Sequence, residues 1–200
     1  AGSITLLTQI EFTRAAFDLS RGEFDRAIAR SSAAGAMYRR GRGYSADTIE
    51  GAAYLQIEVE RGNAAVVAEA MTQMSGESFA VHWPRYLAWV QAEAGDLDAA
   101  RASLAIARPL PEDYLWLPVT TLSALAEIEV GDLAAVRSSY EALRPYSGLL
   151  VIGGTSSPVT DALDTYLARA AALLGDHDTA SRLFDAAIAL NERADAAVWL

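Results

Sequence analysis

Apolar residues recur along this chain three and four positions apart, in stretches several helical turns long, and the stretches come in pairs joined by a glycine followed by an acidic or amide residue. The junctions are Gly22-Glu23, Gly62-Asn63, Gly95-Asp96, Gly131-Asp132 and Gly175-Asp176, separated by 40, 33, 36 and 44 residues. Five positions after each glycine stands a small or β-branched residue: Ala27, Val67, Ala100, Val136 and Ala180. The pattern predicts helix pairs at 4–20 and 23–38, 45–60 and 63–74, 83–94 and 96–107, 113–130 and 132–144, and 158–174 and 176–192. At each junction glycine suits the left-handed residue that closes the first helix, because it has no Cβ to clash. The aspartate that follows in three of the repeats can accept hydrogen bonds from free N–H groups of the second helix and suits its positive end.

The same register selects core positions. Seven residues before each glycine stand Ala15, Leu55, Ala88, Ala124 and Ala168, four of them small enough for paired helices to approach closely. Nine residues after it come Ser31, Met71, Leu104, Tyr140 and Phe184, and twelve after it Ala34, Met74, Ala107, Leu143 and Ala187, all expected to pack. The longest interruption runs from Pro145 to Pro158 and mixes an apolar run with glycines. It reads as a structural insertion that tucks Leu150 and Ile152 against the helices, or else as a ligand-contacting loop or hinge. Ser157 and Pro158 read as the N-cap and first residue of the ninth helix.

This register resembles the tetratricopeptide repeat, most closely in Leu87-Ala88…Gly95-Asp96…Ala100…Leu104…Ala107 and Leu167-Ala168…Gly175-Asp176…Ala180…Phe184…Ala187. The tryptophan early in the first helix and the proline that closes the repeat are mostly missing, and two spacings are long. The resemblance implies an all-α fold: antiparallel helix pairs stacked into a right-handed superhelix, one domain over residues 1–200. From Leu115-Trp116-Leu117 through Tyr140-Glu141-Ala142-Leu143-Arg144-Pro145 to Phe184-Asp185-Ala186-Ala187, the second half is similar to the helical repeat region of large bacterial signalling proteins. In those proteins the repeats follow an ATPase domain and share a chain with a LuxR-type DNA-binding domain, a cyclase or a kinase. That likeness implies a segment of a cytoplasmic regulator acting in protein interaction or ligand sensing, with self-association as the alternative.

Composition narrows the chemistry. The chain has no cysteine and no lysine, all sixteen basic residues being arginine. Schiff-base catalysis, a lysine-containing P-loop and thiolate chemistry are therefore excluded. His82 and His177 lie in different repeats and form no metal-binding spacing, so neither a metal nor a cofactor is expected. A formal charge of −10 opposes direct nucleic-acid binding by this segment, and no apolar run approaches a membrane span. Arg39, Arg40 and Arg42 read as a helix terminus, and Glu58 with Glu60 and Glu112 with Asp113 as solvated carboxylates. With no nucleophile–base set, an enzyme is not expected.

Binding is the remaining expectation. In tetratricopeptide arrays the first helix of each pair lines the inner groove. Transferring that geometry places His82, Arg85 and Trp89 of the third repeat, with Thr165 and Arg169 of the fifth, on an exposed inner face. Arginines beside aromatics suit an extended peptide or a planar anion. The other reading of Trp83, Trp89 and Trp116 is interhelical packing. The partner expected is a protein or peptide, another domain of the same chain, or a second copy.

Overall fold

A computed structural model describes residues 3–40, 46–74, 81–153 and 159–200. Arg42 of the basic cluster and Ser157 and Pro158 of the expected ninth-helix start lie outside the described residues. The chain is mostly helical: α1 (Ile4–Ser20), α2 (Phe24–Arg40), α3 (Ala46–Glu60), α4 (Ala64–Gln73), α5 (Trp83–Glu93), α6 (Leu97–Ala105), α7 (Trp116–Val130), α8 (Leu133–Leu143), α9 (Leu163–Leu173) and α10 (His177–Arg193). Between α8 and α9, β1 (Leu150–Ile152) and β2 (Val159–Ala162) form an antiparallel ribbon. A short 3-10 turn, Ala197–Trp199, lies near the C-terminal end.

All five junction glycines take positive φ, between 74° and 89°. At each, two hydrogen bonds close the helix: the Gly95 N–H donates to Ala92 O at 2.9 Å and the Asp96 N–H to Gln91 O at 2.9 Å, and the other four repeat that pattern. Asp96, Asp132 and Asp176 then accept from N–H groups of the helices they start, at 3.0–3.1 Å. The five residues placed after the glycines, from Ala27 to Ala180, are all buried. Met74 and Phe184 are not, being 53% and 38% exposed. Met74 falls beyond the last turn of α4, in extended backbone. Phe184 faces outward because α10 packs on α9, β2 and the C-terminal turn and leaves its other side open.

Helices pack within each pair, and α5, α7 and α9, the first helices of successive pairs, pack on one another. One core runs from Val59 and Met71 through Trp89, Val90, Leu122 and Leu125 to Leu163 and Leu167. A contact of Ala88, Ala92, Ala100 and Ala126 lets α5, α6 and α7 approach closely. The ninth helix was expected from residue 158 and begins at Leu163, because 159–162 pair with β1 instead. Within β1 the alternation of a strand buries Val151 completely and leaves Ile152 44% exposed, so Val151 rather than Ile152 is tucked in. Val159 of β2 joins Leu19, Ala27 and Ile57 in a second core, against which Trp199 packs. The Arg21 Nε donates to Asp195 Oδ2 at 2.8 Å, so the end of α1 touches the segment after α10. No described helix is long and apolar enough to cross a membrane.

Candidate functional site

The five expected site residues separate into two places. Arg85 leaves the inner face and enters a polar network between α5 and α7: it donates to Ser123 Oγ at 2.7 Å and lies 3.8 Å from Glu127 Oε1. Ser123 donates in turn to Glu127 at 3.0 Å, and Ser139 of α8 to the other carboxylate oxygen at 2.5 Å. Glu127 is buried, so the Arg85 cation balances a charge that water does not reach. His82 is buried ahead of α5, with Nε2 3.4 Å from Asp113 Oδ2. Both are structural in this arrangement; tertiary packing of α5 on α7 turned them away from the inner surface.

Trp89, Thr165 and Arg169 do meet, in a cavity of about 230 Å³. Four consecutive first helices contribute to it: Glu60 from α3, Trp89 and Glu93 from α5, Leu125 from α7, and Thr165, Tyr166 and Arg169 from α9. Thr160 and Asp161 of β2 and Trp199 of the C-terminal turn complete the wall. The ribbon and the turn thus wall two sides of the space beside these helices. Trp89 is buried and donates through Nε1 to Glu93 at 3.2 Å, serving as packing residue and wall at once.

Three carboxylates, Glu60, Glu93 and Asp161, outnumber the basic residues of the lining. Burial pushes the Glu60 carboxyl up to about 7, against the opposing hydrogen bond from Trp199, and the charges of Glu93 and Asp161 add to the rise. Burial also raises Asp161, despite hydrogen bonds from Asn191, at 2.5 Å, and from Thr165. Glu93 is raised by desolvation although its side chain is exposed, and Arg169 partly offsets the shift. Arg169 is the one basic residue among the described residues that line the cavity, and it is paired with Glu129 of α7. Glu60 is therefore not the solvated carboxylate expected from the sequence, whereas Glu58 binds Arg61 and Asn63 at the surface.

A signal for these acids was present. Glu60, Glu93 and Glu129 each stand two residues before a junction glycine, so three successive first helices carry an acid at one register position. Asp161 and Trp199 carried no such signal, because one sits on a strand that reads as helix and the other beyond the last repeat. A larger cavity of about 360 Å³ lies between α2 and α3, but Arg39 and Glu50, paired at 2.8 Å, neutralise each other in its wall. Among the described residues no group of three or more acidic or imidazole side chains is placed to hold a metal ion. Compared with known proteins, the chain matches no family model, no curated protein and no solved structure.

Proposed function

We propose that this chain is a non-catalytic binding scaffold, a right-handed tetratricopeptide-like array from a cytoplasmic bacterial signalling or transcriptional regulator, whose inner surface receives a protein segment or a small ligand. The observation that supports the reading is the cavity to which α3, α5, α7 and α9 all contribute, with Trp89, Leu125 and Arg169 each six residues before a junction glycine and Glu60 and Glu93 each two before one. Stacked helix pairs present their first helices side by side, and function in such arrays resides on that surface. The residues assigned to binding are Trp89, Thr165 and Arg169, joined by Glu60, Glu93 and Asp161. Their chemistry favours recognition over turnover: carboxylates, an arginine and indoles surround the space, with no histidine or nucleophile–base pair in its wall.

Self-association is the second reading, and α1 favours it, since Leu6, Leu7 and Phe17 are 61%, 47% and 46% exposed. The deciding experiment compares partners retained by the natural full-length protein and by its Thr165→Trp variant, which fills the cavity from a partly buried position. A partner or ligand lost on filling supports the scaffold reading. Retention unaffected by filling, together with a mass that rises with concentration, transfers the assignment to self-association.

A further inference from the structure

The inner cavity holds more negative charge than its own wall balances. Glu60, Glu93 and Asp161 face it from α3, α5 and β2, while Arg169 of α9 is already engaged by Glu129. The hydrogen bonds that Glu93 and Asp161 receive come from neutral donors: Trp89 to Glu93, and Asn191 and the Ala162 N–H to Asp161. Neutral donors add no charge, so Glu93 and Asp161 have only the partial offset of Arg169, and Glu60, pushed up to about 7 by burial, gains charge when a cation is placed beside it. A second, independent feature points inward as well. Thr160 is 2% exposed and lines the cavity, yet its hydroxyl meets no hydrogen-bond partner of ordinary geometry, even with the Tyr166 phenol close by. A buried hydroxyl without a partner is costly unless something occupying the space supplies one.

We infer that the cavity is a receptor for a single guanidinium group, held by Glu60, Glu93 and Asp161 between the aromatic walls of Trp89, Tyr166 and Trp199. This rests on the binding-scaffold reading and deepens it by naming the ligand chemistry. Four properties select that group. The carboxylates surround a volume instead of converging on a point, and no set of described side chains is placed to share a metal ion, so the cation is extended. At about 230 Å³ the space falls below the ~300–1,000 Å³ of sites for drug-sized ligands, which suits one side-chain head group. The aromatic walls attract a cation over their faces. Finally, guanidinium sheds water more readily than ammonium and carries five donors in a plane, enough to reach acids on three different elements.

The test is calorimetric titration of the full chain with ethylguanidinium, with a blocked glycine–arginine–glycine tripeptide and with its citrulline counterpart, which keeps the shape and removes the charge. Saturable one-to-one binding of a guanidinium probe is expected, at least about tenfold tighter than the citrulline peptide and weakened at least about tenfold in Glu93→Gln. Glu60→Gln provides the second variant, with circular dichroism confirming that each folds. Tighter binding of the tripeptide than of ethylguanidinium assigns the group to an arginine of a protein partner, and equal binding to a free guanidine. Either upholds the inference. Absence of saturation by both guanidinium probes overturns it, as does citrulline binding of equal strength or unchanged affinity in a folded Glu93→Gln. The larger reading fails separately: if the citrulline peptide binds equally and Thr165→Trp abolishes that binding, the cavity remains the site and only the charge assignment falls.

Discussion

Gly51 and Gly95 show how one backbone angle decides what a residue is for. Nothing lies within 4 Å of a Cβ added at either position, yet Gly95 has a φ of +80° and Gly51 sits within α3. Gly95→Val should therefore lose about 1–2 kcal/mol through the left-handed cap alone, while Gly51→Ala should gain up to about 1 kcal/mol from helix propensity. Urea unfolding midpoints check both, and an unchanged Gly95→Val midpoint would reject the cap. The junction glycines and capping aspartates were legible in the sequence because local geometry fixes their roles. Asp195 was not: it closes α10 with φ 56° and the same hydrogen-bond pair as the glycines, without the residue type that announces it. Glu60 adds a pH dependence. Its folded carboxyl titrates near 7 against an ordinary value of 4.5, so the folded state holds the proton more tightly and stability falls as pH rises through that window. The contribution levels off above the folded value, at up to about 3 kcal/mol. The Glu60→Gln variant should lack this loss, and its unfolding midpoint relative to the parent should climb between pH 5 and pH 8.

At the scale of elements, adjacent residues in β1 give opposite expectations. Val151 is fully buried in the main core and Ile152 is exposed, so Val151→Asp should cost several kcal/mol and Ile152→Asp less than about 0.5 kcal/mol. Comparable losses from the two, measured by thermal unfolding, would remove the strand alternation and the ribbon with it. Nine of the ten α-helices among the described residues were legible to within a few residues because their apolar period and their stop signals agree. The start of α9 was not, since Val159-Thr160-Asp161-Ala162 suits a first helical turn as well as a strand, and only pairing with β1 distinguishes them. The candidate site was legible in part for the same reason. Trp89, Thr165 and Arg169 follow from repeat register, whereas Asp161 depends on the ribbon, and Arg85 was diverted by a buried acid, Glu127, that register alone does not reveal.

Over the whole molecule, residues far apart in the chain make contacts that no repeat unit contains. The 3-10 turn packs on α1 and α10, Trp199 joins the Leu19 core, and Asn191 Nδ2 donates to Trp199 O at 3.3 Å. Truncation after Arg193 should therefore lower the unfolding midpoint and uncover the Leu19 core while light scattering finds the mass unchanged; a dimer lost on truncation would instead make this segment an interface. The Arg21–Asp195 pair is exposed and worth little by itself in water, but its position matters. An array stacked only on its neighbours can fray from either end, because each unit answers to the next one alone. Here residues 195–199 lean on α1, so the first and fifth helix pairs are tied to each other as well as to their neighbours. Pulled apart at α1 and α10, these pairs do not separate one after another; the clasp between α1 and the 3-10 turn must open first, and it acts as the latch for the helices between them.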